Sequence, residues 1–86
     1  MNLQQLRSHI DRLDDRVLSL LNRRARLGLR VGEVKKRQGK RLFDPARERA
    51  ILRRLAARNG GPLSSAAVRA IYREILRQVR RLEQSA

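Results

Sequence analysis

An arginine stands where a helix of this chain calls for an apolar residue. Apolar side chains recur at alternating steps of three and four, as Leu3, Leu6, Ile10, Leu13, Val17 and Leu20, and resume as Leu27, Val31 and Val34. The skipped position is Arg24. A guanidinium keeps its charge at ordinary pH, and sinking one into a helix seam without an anionic partner costs about 3–5 kcal/mol. The spacing therefore calls for a negative group in the middle of the protein. Lys35, eleven positions on, falls within about 20° of the same helix face. Gly28 lies between the two cations with Gly32 nearby, although glycine within a helix costs about 1 kcal/mol relative to alanine. These glycines either leave room for a ligand or let another helix come close.

Acids face inward as well. Glu48 precedes Ile51, Leu52 and Leu55 by three, four and seven positions, which puts it in their row, with Arg47 beside it. Placed just after the free amides of a helix start, this pair can hold a hydroxyl and a carboxylate side by side, or be an ordinary first-turn charge pair. Glu83, four residues after Val79, either extends an inner face or frays into solvent. Other chemistry is poorly provided for. The chain has no cysteine and one histidine, His9, so neither a thiol nucleophile nor a zinc site is expected. Gly60-Gly61 is followed by proline rather than by a phosphate-cradling turn. Fixed cations around a cavity remain, suited to a dianion and to a reaction that needs only positioning and charge stabilisation, with no metal and no cofactor.

The elements that must position these residues are helices. The first is expected over about 2–38, without a proline and with Gly39 closing it. At 1.5 Å per residue it is about 50 Å long, more than a small domain is wide, so its apolar seam needs a partner chain. A connector, 40–43, leads to Asp44-Pro45, a strong start signal for a second helix over 44–58. Asn59-Gly60-Gly61-Pro62 ends it. Ser64 or Ser65 caps a third helix to about residue 83, with Val68, Ile71, Tyr72, Ile75, Leu76, Val79 and Leu82 inward. The expectation is an all-α chain, one domain over residues 1–86, paired with a second copy. With 86 residues, one Phe, one Tyr and no Trp, a lone chain would be thinly packed. Neither a signal peptide nor a membrane span is read, and the protein is expected in the cytoplasm. Twenty-two basic residues, nineteen of them arginine, stand against eight acidic ones for a net charge of +14. That balance attracts polyanions of any kind, or merely solvates outer helix faces.

These residues together resemble the all-helical chorismate mutases, and in particular the mutase domains fused to or associated with bacterial DAHP synthases. The resemblance runs through Leu6-Arg7 with Ile10, Leu13 and Asp14, through Arg23-Arg24, Val31-Gly32-Glu33-Val34-Lys35 and Phe43-Asp44-Pro45 to Arg47-Glu48-Arg49, and on to Ile71-Tyr72-Arg73-Glu74-Ile75. Basic residues at 7, 24 and 35 followed by Asp44-x-x-Arg47-Glu48 are its most specific part. The resemblance implies an intertwined homodimer that rearranges chorismate to prephenate. It implies that Arg7 and Arg24 clamp the substrate's carboxylates and that Lys35 holds a carboxylate and the ether oxygen. Asp44 and Glu48 would hold the ring hydroxyl, with Arg47 supporting that corner. Arg7 lies about 25 Å along the first helix from Arg24 and about 100° around it, so it cannot serve the same site; the resemblance implies that it reaches the partner's site.

Two positions depart from the family pattern. Val79 stands where serine is frequent and offers no hydrogen bond to a carboxylate. Glu83 stands where glutamine is frequent, and it must be protonated to assist an ether oxygen that gains negative charge. Burial raises its affinity for a proton and Lys35 lowers it. The related isochorismate pyruvate-lyases share the fold, but the Asp-x-x-Arg-Glu element favours a mutase. Two further readings compete: a chorismate- or prephenate-binding domain that regulates a DAHP synthase, and a basic helical dimer that binds nucleic acid. The second ranks low, because surface charge does not explain cations on inner helix faces.

Overall fold

A computed structural model describes residues 1–86 as three α-helices and two turns, with no strand. Helix α1 spans Leu3–Arg37, α2 spans Pro45–Arg58 and α3 spans Ser65–Ser85. Each boundary has a local cause. Asn2 and Gln5 form a reciprocal cap at the start of α1, with the Asn2 side chain accepting from the Gln5 N–H at 2.8 Å and the Gln5 side chain accepting from the Asn2 N–H at 2.9 Å. Glycine closes the other end. Gly39 adopts φ 67°, and the Lys40 and Gly39 N–H groups donate back to the Lys35 and Lys36 carbonyls at 2.8 and 3.2 Å.

The second and third helices are started by side-chain oxygens. Asp44 accepts from the Arg47 N–H at 3.0 Å, with Pro45 in the first helical position, and Ser64 accepts from the Ala67 N–H at 3.0 Å. Asn59 staples the turn between them. It donates to the Leu63 carbonyl at 2.6 Å and accepts from the N–H of Gly61, whose φ is +78°. The expected helix limits are thus met to within two residues, and Ser64, not Ser65, is the third cap.

Helix α3 packs on both α1 and α2, which do not pack on each other. Ile51 and Leu76 are the only apolar side chains this arrangement buries. The leading half of α1 projects away from the rest, giving a body 55 × 25 × 15 Å. Along it Leu6, Ile10, Leu13, Val17 and Leu20 are all exposed, Leu13 at 54% and Val17 at 53%. A compact monomer of 10.0 kDa exposes about 5,200 Å², whereas this chain exposes 7031 Å². No helix is long and apolar enough to cross a membrane.

Candidate active site

The gap between α1 and α2, floored by α3, is a cavity of about 330 Å³. From α1 it receives Arg24, Leu27, Gly28, Val31 and Lys35, and from α2 Arg47, Glu48, Ile51 and Arg54. Leu42 and Asp44 come from the connector, and Leu76, Val79, Arg80 and Glu83 from α3. Seven of the eight site residues expected from the sequence therefore converge: Arg24, Lys35, Asp44, Arg47, Glu48, Val79 and Glu83. Arg7 is the eighth. It is exposed on the projecting half of α1 and lies outside this cavity.

Burial and one hydrogen bond constrain the cations of α1. Arg24 and Lys35 are both half-buried on one face of α1. The Lys35 ammonium donates to the Leu42 carbonyl at 3.1 Å, which ties the connector to α1 and leaves two of its three N–H donors for a guest. On the α2 side the Asp44 carboxylate caps the helix through one oxygen, which leaves the other to accept from a guest beside Arg47 and Glu48.

The glycines have a structural reason that the sequence left open. A Cβ on Gly28 would sit 2.5 Å from Val79 Cγ1 and 3.4 Å from Glu83 Oε1, and one on Gly32 would meet the Glu83 side chain at 3.4 Å. Val79 and Glu83 fill the space that side chains on α1 would take. The glycines admit α3 to α1, and the ligand-room reading gives way to close helix approach.

Glu83 is thereby brought into the cavity rather than frayed into solvent. Burial pushes its carboxyl above the usual carboxylate range, against the pull of Lys35 and Arg24 and with a push from Glu48; Arg80 also pulls it down. Burial prevails over the cations in the balance that the sequence left unweighed. Two lining residues escaped the sequence reading. Arg80 Nη1 pairs with Glu48 Oε2 at 2.5 Å, and its guanidinium lies 4.5 Å from the centroid of the Phe43 ring. Arg54 follows Glu48 by six positions and also reaches the rim. Nothing in the spacing sets either apart from the other arginines of their helices.

Chemically, the site offers several guanidinium groups and one ammonium group as donors, two carboxylates with an oxygen to spare for a hydroxyl, and an aliphatic floor. Such a set binds a compact dicarboxylate bearing a hydroxyl, and it stabilises negative charge that develops between its cations.

Comparison with known proteins points the same way. The family model described as chorismate mutase type II matches residues 6–84. A bifunctional chorismate mutase/prephenate dehydratase from Aquifex aeolicus (strain VF5) is 41% identical over 78 residues, which cover 86% of this chain and 22% of that protein. Its counterpart from Neisseria gonorrhoeae is 39% identical over 70 residues, covering 81% of this chain and 19% of that protein. The chain thus spans about a fifth of the length of these curated relatives. They are of the mutase/dehydratase kind, where the sequence resemblance suggested mutases tied to DAHP synthase.

Among solved structures, chorismate mutase (form II) from Thermus thermophilus superposes with a TM-score of 0.94 at 34% identity, covering 95% of this chain and 93% of that one. Chorismate mutase from Helicobacter pylori in complex with prephenate gives 0.89 at 30% identity, covering 96% and 90%. Sequence, fold and the cavity's cations agree, and the chain belongs to the type II chorismate mutase family.

Proposed function

We propose that residues 1–86 make up one chorismate mutase domain, which rearranges chorismate to prephenate as a homodimer in the cytoplasm. The observation that carries this reading is the convergence of Arg24, Lys35 and Arg47 with Glu48 and Glu83 on one cavity of about 330 Å³. Chorismate carries two carboxylates, a ring hydroxyl and an ether oxygen that becomes more negative as its bond to the ring breaks. Arg24 clamps a carboxylate. Lys35 holds a carboxylate and the ether oxygen, and protonated Glu83 donates to that oxygen from the other side. Asp44 and Glu48 accept from the ring hydroxyl, and Arg47 supports them.

No group in the cavity needs to attack the substrate. The enolpyruvyl arm folds over the ring, one carbon–oxygen bond breaks as one carbon–carbon bond forms, and the fixed donors favour the charge-separated transition state over the ground state. Arg7 completes the site from the other protomer. Support for that pairing is the exposed apolar stripe of α1, the excess exposed surface of the lone chain, and the distance of Arg7 from its own cavity.

Following the loss of chorismate absorbance, with prephenate identified as the product, tests the reading directly. Turnover by the wild type establishes an enzyme. Prephenate binding without turnover would instead make the domain a sensor, as in the regulatory reading with a DAHP synthase. Neither turnover nor binding would overturn the assignment of the cavity.

A further inference from the structure

Arg80 lines the cavity, yet the family resemblance gives it no role. Two ion pairs occur in the chain, and they differ in kind. Arg77 and Glu74 are neighbours on one turn of α3 with side chains 52% and 53% exposed, a geometry that contributes little in water. Arg80 and Glu48 are 32 residues apart, join α3 to α2, and are each 25% exposed. The same guanidinium also covers the ring of Phe43, the residue before Asp44. One side chain thus pins the acid of α2, the connector and α3 together at the corner where the ring hydroxyl is to be held.

The charges explain why such a pin is needed. Glu48 and Glu83 share one cavity, close enough that Glu48 pushes the Glu83 carboxyl up while Arg80 pulls it down. A guest with two carboxylates would meet both acids. Left unpaired, Glu48 would repel it and would be free to swing among rotamers, whereas an ion pair to one oxygen fixes the carboxylate and leaves its other oxygen to accept from a hydroxyl. Val79, one residue before Arg80, has no polar atom with which to share the task.

We infer that Arg80 is a positioning residue for the mutase reaction: it orients the Glu48 carboxylate and cancels its charge, so that the acid can hold the substrate hydroxyl without repelling the substrate carboxylates. This inference rests on the chorismate mutase reading above.

A double-mutant cycle on the full chain tests it, with kcat and KM for chorismate measured for wild type, Arg80→Met, Glu48→Gln and the double variant. Coupling between contacting residues spans roughly a few-fold to a hundredfold in such cycles. The expectation is that Arg80→Met lowers kcat/KM about thirtyfold in the wild type, and less than about threefold once Glu48 is already glutamine. Arg80→Lys, which keeps a cation near Glu48, should recover about tenfold of that loss at an unchanged melting temperature. If Arg80→Met fails to fold, the same cycle with Arg80→Lys is expected to show its smaller loss only in the presence of Glu48. Losses that multiply in the double variant would overturn the inference and make Arg80 an independent contact. A wild type without mutase activity would overturn the functional reading and this inference together.

Discussion

The two halves of α1 carry the same apolar rhythm, exposed along both, and differ in what their other faces meet. From Arg24 to Arg37 the helix is backed by α3: Gly32 is buried, Gly28 and Leu29 are half-covered, and the polar positions Arg24 and Lys35 turn into a cavity. From Leu3 to Leu20 every apolar residue is exposed in the single chain. Periodicity alone therefore states that a face is to be covered, while the covering element is decided by geometry. One half gains a backing helix for its Arg24, Gly28 and Gly32 side, but its Leu27, Val31 and Val34 stay exposed in line with the apolar residues of the other half; on the homodimer proposed above, a second copy covers that continuous stripe.

The largest effect is expected from breaking the unbacked half. Leu13→Glu places a charge in the middle of the stripe, twice per dimer, at about 3–5 kcal/mol for each unpaired buried charge. Sedimentation should show the dimer lost, and mutase activity should fall below detection because Arg7 no longer reaches a partner's site. The wild type should also melt at a temperature that rises with protein concentration, as coupled folding and assembly require. A monomeric, fully active Leu13→Glu chain would remove the need for a partner.

The backed half is probed next, through its cations. Arg24→Ala and Lys35→Ala should each lower kcat/KM at least about a hundredfold, the usual scale for one preorganised donor, with circular dichroism unchanged. Mixing sharpens the comparison between halves. Arg7→Ala and Arg24→Ala are each expected to be crippled, yet equal amounts refolded together should regain roughly a quarter of wild-type activity, since half the dimers are mixed and one of their two sites is intact. No recovery would place Arg7 outside the partner's site.

A smaller effect is expected where α3 meets α1. Alanine at residue 28 gains helix propensity but puts a Cβ 2.5 Å from Val79 Cγ1, a stiff side chain on an opposing helix. We expect Gly28→Ala to lose about 1 kcal/mol net in denaturant melts, and Val79→Ala to restore most of it in the double variant. An unchanged midpoint for the single variant would mean that α3 stands further from α1 than described.

The mildest prediction concerns pH. Burial raises the affinity of Glu83 for a proton in the folded chain, so the protonated form that can donate to the ether oxygen persists above the usual carboxylate range and is lost as pH rises through the raised value. Stability follows the same sign: the folded state holds this proton more tightly than the unfolded one, so the group's contribution falls as pH rises from the ordinary carboxylate value to the raised one. Glu83→Gln should extend activity toward higher pH and flatten that part of the stability profile. A rate that is unchanged or lower at every pH would exclude a donor role.

What could be read from the sequence was local. Gly39, Asp44-Pro45 and Ser64 set helix ends through atoms within a few residues of one another, Arg24 stood out because it interrupts an apolar row, and Lys35 because it shares the face of Arg24. Arg80 did not stand out. It follows Arg73 and Arg77 on an arginine-rich helix, and its importance arises only from the way α3 lies against α2, which brings Glu48 and Phe43 to it. Gly28 and Gly32 were ambiguous for a similar reason, because the side chains that fill their space belong to a helix about fifty residues later.

Helices α1 and α2 hold most of the charged groups of the cavity but do not pack on each other, and α3 alone bridges them. Chamber width is therefore governed by the bridging helix and guest charge chiefly by the other two. A shorter side chain at Val79 would widen the chamber where α3 meets α1 while Arg24, Lys35 and Arg47 stay on their own helices, so the room for the guest can be enlarged with most of its charge recognition kept.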